Sequence, residues 1–443
     1  MKKVLIIAYY FPPLGWSGVQ RTLKFVKYLR NFGWEPIVVT VGKTKFSILD
    51  ETLIDEIPKD IEIINIDDIK FKDVTDKMKS QLKFYVSQSL DIISNEKLKQ
   101  LYEEEIEKKF SELRGLLLLP DGNAVWANNV IKEIQQKVNF SEIDVVYSTS
   151  APYSTHLIGN YIKKEFNIPW VSDFRDQWIN NPYSAFDKNS LRYKLENNIE
   201  ESIILNCDRV ITTTSISRKN YVNSYNLDSR KISTITNGYD EEDFKNIYLE
   251  KVNKEKFRII HNGSFYLKRN PYTFTMAIKN LLKDKLVDKL NIEIILNGQN
   301  DSSIIEKSMS ILGEDKDILI CNGYLPHDQS LSYSQEADIL LLVCGNEESS
   351  KEVYTGKVFE YLRLKRPIMA ISPKESLVEE LLEETKCGVN VEYNNVEKIQ
   401  EVILYYYNKW LKNEAVEIEA KNIEKYERKV LTKKLADIFS EIS

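Results

Sequence analysis

Two carboxylates eight positions apart, Glu352 and Glu360, are the residues whose types and spacing point most directly to chemistry. They flank a Thr355-Gly356-Lys357 turn that leads into the apolar helical run Val358-Phe359-Glu360-Tyr361-Leu362. Thr355 reads as the N-cap of that helix, so Lys357 falls in the first turn, where the helix dipole disfavours a cation by roughly 0.3 kcal/mol or more. A bound anion reverses that preference. Glu360 sits among apolar neighbours, and a carboxylate offers two acceptor oxygens well matched to a pair of vicinal hydroxyls. Glu352, still in the loop, is expected nearer the other end of the same ligand.

Four further clusters carry candidate groups. Asp173-Phe174-Arg175-Asp176 sets two carboxylates and an arginine at the end of the apolar run Trp170–Phe174, either as a mutual ion-pair network or as a site at the ligand edge of a sheet. Gly15-Trp16-Ser17-Gly18, with Arg21 three residues on, reads as a strand-to-helix turn where glycines let a ligand approach the backbone and a helix start favours an anion. The three-glycine spacing of a dinucleotide fingerprint is absent. The hydroxyl-rich turn Ser148-Thr149-Ser150-Ala151-Pro152-Tyr153-Ser154-Thr155-His156 either contacts a sugar or caps the next helix. Gly263-Ser264 is a glycine turn followed by Lys268 and Arg269, two cations able to neutralise phosphates or simply solvated.

These clusters need a scaffold, and the apolar pattern supplies one. Val4–Ala8, Pro36–Thr40, Ile61–Ile66, Ile143–Ser148, Trp170–Phe174, Arg209–Thr213 and Ile232–Thr236 read as strands with amphipathic helices between most of them. A second series follows a loose acidic link: Phe257–His261, Ile292–Asn297, Asp317–Cys321, Ile339–Cys344, Pro367–Ile371 and Val389–Tyr393. The expectation is an α/β chain of two Rossmann-like domains, residues 1–245 and 256–424, with a final helix at 425–443 that crosses back to the first. Thr236-Asn237-Gly238-Tyr239-Asp240 is read as a turn that ends the first domain and serves as a hinge. Residues 68–115 interrupt the first series with a lysine- and glutamate-rich helical block, either a surface insertion or a flap that binds an acceptor or lies against a membrane.

Composition narrows the function classes. The 443 residues carry 61 basic and 67 acidic side chains, a net charge of -6 dispersed along the chain, which gives no reason to expect a nucleic-acid partner. The opening Met1-Lys2-Lys3 and its short apolar run end at Pro12-Pro13 without a small-residue cleavage site, so they read as a buried strand and not a signal peptide. No run reaches the roughly 18 apolar residues that cross a bilayer. Cys207, Cys321, Cys344 and Cys387 are widely spaced, as expected of reduced thiols in a cytoplasmic protein, and suggest no metal site.

Taken together, the Phe11-Pro12-Pro13 start with Gly15, Gly18 and Arg21, the Asp173-Phe174-Arg175-Asp176-Gln177-Trp178 run, Thr236-Asn237-Gly238-Tyr239-Asp240 and the pair Glu352 and Glu360 resemble the family 4 glycosyltransferases of the GT-B fold. The resemblance covers nearly the whole chain apart from 68–115. It implies two facing Rossmann-like domains with an interdomain cleft, and a retaining transfer from a nucleotide sugar, UDP-linked in preference to GDP-linked, to a glycan or lipid-linked acceptor. Surface polysaccharide synthesis at the inner face of the cell membrane follows from it, with no metal and no cofactor. Carried over by position, Glu352 stands near the reacting carbon, with Asp173, Arg175 and Asp176 completing the catalytic set. Gly15, Gly18, Gly263, Ser264, Lys268, Arg269, Tyr354, Thr355, Gly356, Lys357 and Glu360 hold the donor, Glu360 at the ribose. Trp16, Arg21, Tyr153 and His156 face the acceptor. Two positions depart from the family: Ser264 and Asn270 stand where members often have an arginine and a lysine, and Arg175 follows Phe174 where many have a histidine. A sugar-nucleotide 2-epimerase and a non-catalytic partner subunit are the alternatives on the same fold.

Overall fold

The computed structural model describes residues 1–15, 17–42, 49–68, 100, 104–105, 108–109, 118–181, 187–245, 255–266, 268–414, 416 and 418–443. The expected insertion at 68–115 and Trp16 therefore lie almost wholly outside the described residues. The chain divides into two compact units, residues 1–235 with 433–443, and residues 236–432.

The first unit is a parallel sheet of β1 (Lys2–Ile7), β2 (Trp34–Val41), β3 (Glu62–Ile66), β4 (Val145–Ser150), β5 (Trp170–Phe174), β6 (Arg209–Thr212) and β7 (Ile232–Thr234). Its order is β3-β2-β1-β4-β5-β6-β7, so the winding reverses between β1 and β4. Val4, Leu5, Ile6 and Ile7 are all fully buried, the continuous apolar run of a strand covered on both faces. The cover comes from α1 (Ser17–Leu29), α2 (Ala124–Lys137), α3 (Thr155–Phe166), α4 (Leu191–Asn206) and α5 (Ser215–Tyr225). In α1, Val19, Leu23 and Val26 recur at helical spacing and are fully buried.

The second unit repeats the plan with β8 (Phe257–Asn262), β9 (Ile292–Asn297), β10 (Leu319–Gly323), β11 (Ile339–Val343), β12 (Ile368–Ile371) and β13 (Gly388–Val391), in the order β10-β9-β8-β11-β12-β13. Its winding reverses between β8 and β11. Its helices are α6 (Tyr272–Lys283), α7 (Ser302–Leu312), α8 (His327–Gln335), α9 (Lys357–Leu364), α10 (Leu377–Thr385) and α11 (Val396–Leu411). The turn Thr236–Asp240, expected to end the first domain, groups instead with this unit: Tyr239 N donates to Tyr426 O and Arg428 N to Tyr239 O. The last helix, α12 (Arg428–Ile442), has its residues from Lys433 onward in the first unit, where the Phe439 ring meets Trp34 at 5.3 Å and Tyr147 at 5.9 Å.

Both sheets place their reversals where an α/β fold offers ligand sites, at the carboxyl ends of the strands. No described helix is long and apolar enough to cross a membrane.

Candidate functional site

At the carboxyl edge of the first sheet, charge is turned inward. Asp173, at the end of β5, is fully buried and receives Arg21 Nε and Nη2 at 3.0 and 2.8 Å, Tyr147 OH at 2.6 Å and Thr149 Oγ1 at 2.9 Å. Burial by itself raises such a carboxyl, but the Arg21 guanidinium and these hydroxyls outweigh it and hold the group below the ordinary carboxylate range. Arg21, expected at the acceptor, is 1% exposed and directed at Asp173. Neither side chain offers a surface to a ligand, and their geometry ties α1 to β4 and β5. Tyr147, which completes this cluster, carried no signal in the sequence beyond being part of a strand.

Arg175 is engaged in a different way. Its Nη1 donates to Gly18 O at 2.6 Å and its Nη2 to Ala151 O at 2.9 Å, while Nε meets Ser150 O. The guanidinium thus gathers the β1–α1 turn and the β4–α3 turn onto the end of β5. A Cβ on Gly18 would stand 2.3 Å from Arg175 Nη1, so a side chain there would displace the guanidinium from this position. Asp176 is exposed. Of the two readings of Asp173, Arg175 and Asp176, the mutual ion-pair network does not form: Asp173 pairs with Arg21, and Arg175 binds carbonyls. Gly15 is half-buried in the same turn.

The hydroxyl-rich turn is largely strand. Ser148, Thr149 and Ser150 belong to β4 and are buried, because Thr149 serves Asp173 and Ser148 serves His156. His156, expected at the acceptor, is fully buried in the first turn of α3, with Nδ1 at 2.8 Å from Ser148 Oγ and the ring 4.4 Å from Phe174. Burial pushes its pKa down to about 3. Ser148 Oγ already accepts from Trp170 Nε1 at 2.8 Å, so its own hydrogen is available to His156 Nδ1. Tyr153 is half-buried, its ring stacked on Trp178 at 4.8 Å and its hydroxyl on Gln177 O at 2.8 Å.

The second sheet's edge keeps more of its polar groups accessible. α9 has Gly356 at its N-cap position with no side-chain capping bond, contrary to the N-cap expected of Thr355; Val358 N instead meets Thr355 O at 3.2 Å. Thr355 Oγ1 is buried without a partner among the described residues, and Gly356 is exposed with open space around it. The apolar face of α9, Val358, Phe359, Tyr361, Leu362 and Leu364, is buried, and the helix stops at Lys365, which takes a left-handed conformation (φ 53°) two residues before Pro367. That face fixes the rotation of the helix, and so fixes Glu360. Its Oε1 lies 3.0 Å from His327 Nε2, at the start of α8, and its Oε2 3.2 Å from Lys357 Nζ. Burial acts to raise this carboxyl; Lys357 and His327 more than offset it and hold it at about 2. One contact on each oxygen leaves acceptor capacity for a pair of hydroxyls. His327 was not singled out from the sequence, where nothing marks a partner 33 residues away.

Glu352 ends the short 3-10 helix Glu348–Glu352 and is half-buried, and Tyr354 rests its ring edge-on to Phe359 at 5.3 Å. Lys268 is an exposed cation paired with Glu347. Arg269 lies over the Tyr266 ring at 5.3 Å, and its charge reaches both His261 at the end of β8 and Cys344 just after β11. That places a guanidinium at the winding reversal. Gly263 and Ser264 form the half-buried turn after β8. His261 donates from Nδ1 to Leu341 O at 2.9 Å, and burial pushes its pKa down to about 4.

Residues 89–243 match the model of Glycosyltransferase Family 4. No curated protein matches the chain. Among solved structures, a glycosyltransferase from Rickettsia africae is 17% identical with a TM-score of 0.62, covering 100% of this chain and 98% of that one. HepE from Anabaena, in complex with UDP and glucose, is 12% identical with a TM-score of 0.64 and full coverage of both chains. Sucrose-phosphate synthase from Thermosynechococcus elongatus is 11% identical, TM-score 0.64, covering 100% and 99%. The chain thus has the two-domain α/β fold of the GT-B glycosyltransferases over its whole length, and its first domain carries the match to Glycosyltransferase Family 4.

Proposed function

We propose that this protein is a retaining glycosyltransferase that moves a sugar from a nucleotide sugar, UDP-linked in preference to GDP-linked, to a hydroxyl of a glycan or lipid-linked acceptor. The observation that carries this reading is Glu360: a carboxylate held ionised by His327 and Lys357, fixed by a buried helix face, one turn from an uncapped helix start. A ribose diol fits the carboxylate, and a diphosphate fits the helix start with Thr355, Lys357, Lys268 and Arg269 around it. Catalysis in this reading is electrostatic. Departure of the sugar leaves a second negative charge on the terminal phosphate, and preorganised donors stabilise that charge most in the transition state. Glu352 stands on the loop before the helix, at the sugar end of the donor. The acceptor hydroxyl attacks from the face the diphosphate leaves, which retains configuration. Surface polysaccharide synthesis at the inner face of the cell membrane is the setting this chemistry suits.

The epimerase reading needs a proton carrier poised near neutral pH beside the sugar. His156 and His261, pushed to about 3 and about 4 by burial, do not supply one.

The test is a panel of UDP-, GDP- and ADP-sugars, reading nucleotide release and ligand-induced thermal shift. Release from one donor class, lost by roughly a thousandfold in Glu352→Ala at an unchanged melting temperature, supports the assignment. Conversion between sugar nucleotides without release supports the epimerase, and no response to any donor removes both.

A further inference from the structure

Three neighbouring strands of the second sheet run out in the same pair of residues: Asn262-Gly263 at the end of β8, Asn297-Gly298 at the end of β9 and Asn322-Gly323 at the end of β10, each glycine at positive φ. The asparagines form a relay. Asn322 Nδ2 donates to Asn297 Oδ1 at 2.9 Å, and Asn297 Nδ2 donates to Asn262 Oδ1 at 2.8 Å. Asn262 Nδ2 then donates to Ser330 O at 2.9 Å and to Ser334 Oγ.

The direction of this relay is forced from its inner end. A backbone carbonyl only accepts, so Asn262 must turn its amino group to Ser330 O. Ser334 Oγ is likewise committed as an acceptor, because its own hydrogen goes to Ser330 O at 2.8 Å. Asn262 Oδ1 must then face Asn297, which has to donate, and Asn297 Oδ1 must face Asn322, which has to donate as well. Reversing any one amide sets oxygen against oxygen. Asn262 and Asn297 are buried, at 2% and 3% exposure, so neither can escape to water. At the outer end the same logic fixes which way the Asn322 amide faces: one Nδ2 hydrogen is spent on Asn297, the other remains, and among the described residues nothing donates to its Oδ1.

The backbone prepares this position. β10 pairs Cys321 with Leu296 and Gly323 with Asn297, so Asn322 is the extra residue of a β-bulge, a device that re-aims a side chain. It is exposed, and five residues beyond it His327 opens α8 and holds Glu360. The acceptor therefore stands at the start of the loop that leads to the ribose carboxylate.

We infer that Asn322 Oδ1 selects the nucleobase of the donor by accepting the N3–H of uracil, with Asn297 and Asn262 as positioning residues that fix the orientation of the amide. This rests on the transferase reading above. Uracil carries a hydrogen at N3, whereas cytosine presents a lone pair at the same place, so an amide oxygen held opposite N3 welcomes one and repels the other. A freely turning asparagine would serve both.

The experiment is titration calorimetry of the full chain with UDP and CDP, with circular dichroism as a folding control. Wild type is expected to prefer UDP. Asn322→Ala should lower the UDP-to-CDP affinity ratio about tenfold, chiefly by weakening UDP, since the lost hydrogen bond is worth about that factor. Asn297→Leu, which leaves Asn322 in place but unpinned, should lower the ratio in the same direction by strengthening CDP, an effect that a merely structural role would not produce. A ratio unchanged in Asn322→Ala overturns the inference whatever the Asn297 variant does. A wild type that binds GDP and neither pyrimidine overturns the inference while leaving the transferase reading intact, and one that binds no nucleotide overturns both.

Discussion

The carboxyl edges of the two sheets are built on the same plan and used in opposite ways. At the first, Asp173 is consumed by Arg21, and each of the three guanidinium nitrogens of Arg175 donates to a carbonyl, of Ser150, Gly18 and Ala151. At the second, Glu360 is anchored on each oxygen once and keeps acceptor capacity, α9 begins without a side-chain cap, and Asn322 ends a relay on an exposed oxygen. Charge at a strand end is therefore not by itself a sign of a ligand. What separates a brace from a site is whether the donors and acceptors cancel among themselves.

The sharpest way to break this contrast is to remove the carboxylate from each edge. Asp173→Ala strands the Arg21 guanidinium in the core and should destabilise the first domain by about 3–5 kcal/mol in urea denaturation. Tryptophan fluorescence follows it well, since Trp34, Trp126, Trp170 and Trp178 all lie in that unit. A variant of unchanged stability that has lost activity would make Asp173 a catalytic group and dissolve the distinction. Glu360→Ala is expected to do the reverse: nucleotide affinity falls roughly 10- to 100-fold by calorimetry, from loss of hydrogen bonds to a charged acceptor, while the melting temperature stays near wild type.

Much of this was legible in the sequence, for a physical reason. Buried parallel strands must be apolar along their whole length, so Val4–Ala8 or Ile339–Cys344 announces itself, and each of the thirteen strands among the described residues falls on an apolar run of the sequence. Glu360 was legible because a carboxylate interrupts an otherwise apolar helix face. The partners were not. Arg21 and Asp173 are 152 positions apart, and His327 and Glu360 33 apart, and nothing in either local pattern says which charge meets which. For the same reason Arg21 and His156 read as exposed groups near a ligand when burial had already placed them inside. The Asn-Gly pairs did leave a signal, three repeats each after an apolar run, but it becomes a relay only when β8, β9 and β10 are known to be neighbours.

The two edges are alike in one respect, and pH exposes it. Each carries a buried histidine, His156 and His261, with a folded pKa of about 3 and about 4 against an unfolded value near 6.5. Because burial depresses both, the unfolded chain binds protons first on acidification. Stability is full above about pH 6.5 and is lost as pH falls toward each folded value. Replacing His261 by Phe should flatten the slope by up to about 1.4 kcal/mol per pH unit, so that between neutral pH and pH 5.5 the variant's stability relative to wild type rises by about that much. Glu360, held at about 2, adds its own loss only at lower pH, as the medium passes from the ordinary carboxylate range toward that value. A stability profile flat between pH 7 and 5 would show that both imidazoles reach water.

The smallest expected effect tests the second edge on its own terms. If the helix start of α9 with Thr355, Lys357, Lys268 and Arg269 stabilises the departing diphosphate, those groups do the electrostatic work that a divalent ion does elsewhere, and a chelator has nothing to remove. Transfer measured in excess EDTA should equal that in magnesium within error, while Lys357→Ala, which loses one cation and one anchor of Glu360, should slow it measurably. A rate that collapses in EDTA and returns with magnesium would assign the charge to an ion. The uncapped helix start would then be left as a structural end, comparable in kind to the self-satisfied edge of the first sheet.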